Sequence, residues 1–122
     1  MAGAAAPEVS ELRADRAAAE LRVAFTDGAQ VRLPAEYLRV ESPSAEVQGH
    51  GPNSRQLVSG KRAVNIAALD PVGRYAVRIR FTDGHDSGIY SWALLRQLGA
   101  EQDARWQAYL DALAAAGRTR DR

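Results

Sequence analysis

Phe25-Thr26-Asp27-Gly28 returns later in the chain as Phe81-Thr82-Asp83-Gly84, and each copy runs on to a Leu-Arg pair. The first copy continues through Val31, Leu33 and Pro34 to Tyr37-Leu38-Arg39, the second through Ile89, Tyr90 and Trp92 to Leu94-Leu95-Arg96. Asp-Gly between apolar runs signals a hairpin, because glycine takes the positive φ that tight strand connections require. Ahead of the first copy, Leu21, Val23 and Phe25 alternate with Arg22 and Ala24. Ahead of the second, Tyr75, Val77, Ile79 and Phe81 fall on one face, with Arg74, Arg78 and Arg80 on the other. That is strand periodicity, with one face in the core and one solvated. Two similar strand–turn–strand–helix modules are therefore expected to build one sheet.

The remaining segments fit around this repeat. Asp15-Arg16 serves as a turn between a short strand at Val9–Arg13 and the strand ending at Phe25. Pro34 opens a short helical turn through Leu38. Val64 to Leu69 reads as an apolar strand, and Asp70-Pro71-Val72-Gly73 as a turn. Ser91 is a good N-cap for a helix through Trp92, Leu95 and Leu98 that Gly99 ends. A last helix, from about Glu101 to Ala116, carries Trp106, Tyr109, Leu110 and Leu113 on one stripe, and Gly117 stops it. Residues 40–62 are rich in Ser, Gly and Pro, and so long an irregular stretch in a small domain is usually functional or mobile. The expected class is α+β: a small, mostly antiparallel β-sheet domain with C-terminal helices. Residues 1–8 are expected to be disordered, 9–116 to form the domain, and 117–122 to be a solvated tail.

Composition excludes several function classes. The chain has 122 residues, enough for one domain with a modest core, and no cysteine, which removes disulfides and thiolate-based metal sites. No apolar run approaches the roughly 20 residues that span a bilayer, and the N-terminus lacks the pattern of a signal peptide. A cytoplasmic address with no membrane partner is expected. The net charge of +1 gives nucleic acid little long-range pull, so no nucleic-acid partner is expected. Every basic residue except Lys61 is Arg, but they are spread along the chain rather than gathered in a patch.

The two modules differ where chemistry can enter: Ala29-Gln30 follows the first Gly, and His85-Asp86-Ser87 follows the second. The latter holds the residue types of a hydrolase triad. On a strand, however, His85 and Ser87 point one way and Asp86 the other, so Asp86 cannot orient the imidazole. Asp83 and Asp86 more simply hold the turn by bonding to its backbone. His50, His85, Asp83, Asp86 and Glu41 show no metal-ligand spacing of known meaning. Gly60-Lys61 lacks the first Gly and the Ser or Thr of a P-loop. Lys61, Arg62, Arg78 and Arg80 with Tyr75 and Tyr90 could make a single-strand binding strip, but a solvated strand face explains them as well.

Leu38-Arg39-Val40-Glu41-Ser42-Pro43-Ser44, Gly49-His50-Gly51, Gly60-Lys61-Arg62, Pro71-Val72-Gly73-Arg74-Tyr75-Ala76-Val77 and Asp83-Gly84-His85-Asp86-Ser87-Gly88-Ile89-Tyr90-Ser91-Trp92 together carry a resemblance. Over about residues 9 to 115, the chain resembles the gamma-butyrobetaine hydroxylase-like N-terminal domain in its short, stand-alone bacterial form. In carnitine-pathway dioxygenases that domain precedes the catalytic barrel and holds a structural zinc. Its ligands are three Cys in a Leu-Arg-x-x-Cys-x-Cys-x-x-Cys segment and one His. The Cys positions fall here at Ser42, Ser44 and Val47, and the His at His85. The resemblance therefore implies a lost zinc site. Nothing in residues 1–122 corresponds to the barrel, so no dioxygenase activity is implied.

The same domain is found fused to P-loop scaffolds of iron–sulfur cluster assembly, which implies an accessory or docking role by analogy. The expected function is thus a non-enzymatic accessory domain without cofactor or metal. It would bind an unidentified protein and be monomeric or weakly dimeric. Its expected surface joins the 41–62 loop to the second hairpin through His50, Lys61, Arg62, Asp83, His85, Asp86 and Tyr90. The alternative is a metal- or small-ligand-binding protein centred on His85, acting in metabolism or cluster assembly.

Overall fold

In the computed structural model, which describes residues 7–44, 47 and 56–121, each module makes its own sheet. Strands β1 (Val9–Asp15), β2 (Glu20–Phe25) and β3 (Gln30–Pro34) form one antiparallel sheet in that order, followed by helix α1 (Ala35–Val40). Strands β4 (Ile66–Val72), β5 (Ala76–Phe81) and β6 (Ile89–Ser91) form the second, followed by α2 (Trp92–Ala100) and α3 (Gln102–Ala115). The α+β class is as expected. The single sheet is not, since the modules meet through side chains rather than through a shared ladder.

The repeat goes deeper in structure than in sequence. Val9 pairs with Phe25 and Ile66 with Phe81, and each first strand then slips register immediately afterwards. Thr26 N–H donates to the Glu8 carbonyl and Thr82 N–H to the Asn65 carbonyl. Gly28 and Gly84 share a φ of +91°, and in each turn the Asp side chain accepts the N–H two residues on. The two halves also clasp each other crosswise. Arg39 of α1 bonds Asp83 in the second turn, and Arg96 of α2 bonds Asp27 in the first.

One core joins both sheets: Leu21, Val23, Phe25 and Leu33 from the first, Ile66, Val77, Ile79, Phe81 and Tyr90 from the second, with Tyr37, Leu38, Leu95 and Leu98 from the helices. Tyr37 Oη donates to the Leu98 carbonyl at 2.8 Å and Tyr90 Oη to the Leu38 carbonyl at 2.5 Å. These bonds satisfy the buried phenols. Burial pushes the Tyr37 hydroxyl up to about 12 and raises that of Tyr90 further.

Three local expectations are corrected. Asp70, Pro71 and Val72 belong to β4, and the turn lies at residues 73–75. Tyr75 is therefore outside β5 and stands 63% exposed, its ring over Gly73, where a Cβ would come within 2.8 Å of it. Gly99 does not end a helix. It lies within α2, where a Cβ would meet Val31 Cγ1 at 2.6 Å, so glycine there permits close packing on β3. Residues 118–121 remain largely exposed but are not free, because main-chain bonds hold them to the segment around Gly60 and Arg62. Ser91 does cap α2, accepting the Leu94 N–H. The expected disorder of residues 1–6 lies outside the described residues, as do residues 45, 46 and 48–55 of the irregular stretch between α1 and β4.

Candidate functional site

The second hairpin is longer than the first because residues 85–88 intervene between its turn and β6. This insertion carries His85 inward, to 7% exposure, against the segment that follows α1. There its Nε2 lies 2.9 Å from Ser42 Oγ and 3.4 Å from Ser44 Oγ, the donor in each bond following the imidazole tautomer. Gly88 makes room for this approach, since a Cβ on it would stand 2.6 Å from Ser42 Oγ. The Phe81 ring packs beside the imidazole.

Asp83 anchors the same hairpin. Its Oδ2 accepts from Lys61 Nζ at 2.7 Å and Arg39 Nε at 2.8 Å, while Oδ1 accepts the His85 N–H. Burial alone would raise this carboxyl, but the Lys61 ammonium, the His85 N–H and the Arg39 guanidinium outweigh it and hold the pKa at about 2. Two other sequestered carboxylates are matched in the same manner. Glu41 takes Arg105 of α3 at 2.8 Å, and Glu36 takes Arg120 at 2.7 Å. Part of the arginine bias thus has a structural cause, because the guanidinium fork suits buried carboxylates.

The expected site residues therefore separate. Lys61 and Asp83 are brought together, and His85 lies beside them through the turn. Tyr90 is wholly buried, its hydroxyl committed to Leu38. Arg62 turns away to Asp121 at 2.6 Å, and Asp86 is exposed on the hairpin. His50 lies outside the described residues. Sequence reasoning missed Arg39 as the partner of Asp83, although the repeated Leu-Arg pair marked it. It also missed Glu36 and Arg120, which no local pattern links.

Among the described residues, the donors of a structural zinc site are not gathered here. A structural zinc site takes thiolate, imidazole or carboxylate donors, whereas His85 faces two neutral hydroxyls and position 47 is a buried valine. Among the described residues, no three His, Asp or Glu side chains cluster to hold a metal ion. Chemically, the arrangement ties the segment after α1 to the hairpin.

A different set of side chains faces out. Arg78 and Ile89 are cross-strand partners on the outer face of the second sheet. Arg78 and Arg80 share one carboxylate, Asp70, at 3.0 and 2.6 Å. Arg80 and Arg78 hold the Asp70 carboxyl below its ordinary value. Ile89 and Tyr75 are the large apolar side chains most exposed among the described residues. No helix among those residues is long and apolar enough to cross a membrane.

Comparison with known proteins adds a family. The gamma-butyrobetaine hydroxylase-like, N-terminal family matches residues 12–96. Two NMR solution structures are 45% and 41% identical, each with a TM-score of 0.83; the alignments cover 98% and 96% of this chain and 89% and 92% of theirs. A crystal structure of a DUF971 family protein of unknown function from Acidithiobacillus ferrooxidans is 39% identical with a TM-score of 0.65, over 77% of this chain and 94% of that one. No curated protein matches.

Proposed function

The chain belongs to the gamma-butyrobetaine hydroxylase-like N-terminal family, and from that premise we propose that it is a cytoplasmic accessory domain that binds another protein and catalyses no reaction. The observation that carries this reading is the exposure of Ile89 at 48% beside its cross-strand partner Arg78 on the outer face of the second sheet, with Tyr75 63% exposed in the turn before β5. Aromatic residues and arginine are enriched where proteins meet, and lone surface lysines are not. Catalysis is disfavoured by the way the polar groups are used. Among the described residues, Asp83 is bound by two cations and His85 by two hydroxyls, which speaks against a poised acid–base pair at the hairpin. The recognition surface accordingly shifts from His85, Asp83 and Tyr90, whose polar atoms are committed within the fold, to Arg78, Arg80 and Ile89, with Tyr75 in the adjoining turn.

The test is partner capture from the cells of origin with the doubly substituted Tyr75→Asp, Ile89→Asp chain. Surface substitutions of this kind leave stability within about 0.5 kcal/mol of wild type. Loss of the protein that the wild-type chain retains, with an unchanged melting curve, is expected. Retention of that same protein by the folded double variant overturns the reading.

A further inference from the structure

Beyond α3 the chain reverses at Gly117, whose φ is +67°, with Arg118 N–H donating to the Leu113 carbonyl. The residues that follow lie back along the segment before β4. Gly60 N–H donates to the Thr119 carbonyl and Arg62 N–H to the Arg120 carbonyl, each at 3.0 Å, and Arg118 Nη1 donates to the Leu57 carbonyl. Most side chains of this tail stay in solvent; Arg120 does not. Its Nε and Nη2 grip both oxygens of Glu36 at 2.9 and 2.7 Å, and its Cζ stands 5.1 Å from the centre of the Trp106 ring. Glu36 is 6% exposed, so the fold keeps a carboxylate inside whose matching cation arrives from outside the strands and helices.

A sequestered carboxylate, an aromatic face and two outward backbone N–H groups are the parts of a peptide-binding site selective for arginine. The bidentate fork satisfies Glu36, the ring covers the guanidinium, and the N–H groups take an extended main chain. We propose that Glu36, Trp106 and the N–H groups of Gly60 and Arg62 form such a site, filled in cis by Thr119-Arg120-Asp121 and open to an arginine-bearing segment of another protein when the tail lifts. Gly117 is the hinge. Lysine serves poorly here, because an ammonium cannot satisfy both Glu36 oxygens in one plane. This surface is separate from the outer face of the second sheet, so either assignment can fail alone.

The probe is a fluorescein-labelled peptide with the sequence of residues 117–121, followed by anisotropy against the full chain. Arg120→Ala frees Glu36 and the Trp106 face and weakens the hold of the tail on the Gly60 and Arg62 N–H groups, so it should bind the peptide roughly tenfold or more tightly than wild type, whose own tail competes. Adding Glu36→Gln, or using a peptide with lysine at the position of Arg120, should remove that gain. Equal binding by wild type and Arg120→Ala, or binding indifferent to Glu36→Gln, overturns the proposal. Should Arg120→Ala fail to fold, hydrogen exchange on the wild-type chain decides instead. The Gly60 and Arg62 amides should exchange well before those of β5, and equal protection would mean that the tail never lifts.

Discussion

Asp83 holds two cations and an amide from three parts of the chain, so its protonation should be felt throughout the second hairpin. Its pKa lies at about 2 in the folded protein against an ordinary 3.8. A carboxyl lowered by folding contributes stability that is complete above the unfolded value and is lost as pH falls through the folded one. Between about pH 4 and pH 2 the wild-type chain should lose roughly 1–2 kcal/mol more than Asp83→Asn, allowing for a side chain still in part reached by solvent. Urea midpoints across that range measure it, and parallel slopes for the two proteins would contradict it. His85 gives a second expectation, because its imidazole is buried against two hydroxyls that would be left without it. His85→Ala should cost about 1–3 kcal/mol, whereas Gln30→Ala, at the exposed start of β3, should stay within about 0.5 kcal/mol of wild type. Equal melting temperatures for the two variants would show that the Ser42 and Ser44 contacts contribute nothing.

At the scale of elements, what could be read in advance was what local chemistry decides. The two Phe-Thr-Asp-Gly turns are legible because only a glycine takes φ of +91° without strain and the Asp bonds its own loop. The cap at Ser91 is legible for a similar reason. Gly99 misleads, since a glycine that ends a helix and one that lets a helix approach Val31 look identical in a single sequence. Tyr75 misleads because the apolar alternation of β5 continues by one position into the turn. The last helix is a clearer case: Tyr109 and Leu113 are buried, with Trp106 set edge-on to Tyr37 at 6.3 Å and tilted against Tyr109 at 5.2 Å. Trp106→Ala should therefore destabilise by roughly 3 kcal/mol, the low end for a tryptophan because the ring keeps some exposure. A denaturant midpoint equal to wild type would mean that α3 does not dock.

The molecule as a whole is two like modules clasped by Arg39 with Asp83 and Arg96 with Asp27, and the clasps are unequal. The first pair is largely withdrawn from solvent, at 11% and 16% side-chain exposure, and the second is open, at 37% and 59%. The deeper clasp lies beside the hairpin insertion that brings in His85. That asymmetry was visible in the sequence as His85-Asp86-Ser87 against Ala29-Gln30, but its meaning was not. Polar residues on a turn read as recognition until a distant segment is seen to bury them, and the contacts with Ser42, Ser44 and Arg39 span about forty residues. Those side chains are committed to holding the fold, and the recognition surface proposed above is made of groups they leave outside, Arg78, Arg80 and Ile89 with Tyr75 in the turn before β5. The most direct test places a photo-crosslinking amino acid at Tyr75 and, as a control, at Arg32 on β3, which is 69% exposed on the first sheet. A discrete crosslinked protein from position 75 and none from position 32 is the predicted result; crosslinks from both positions alike, or from position 32 alone, would contradict it.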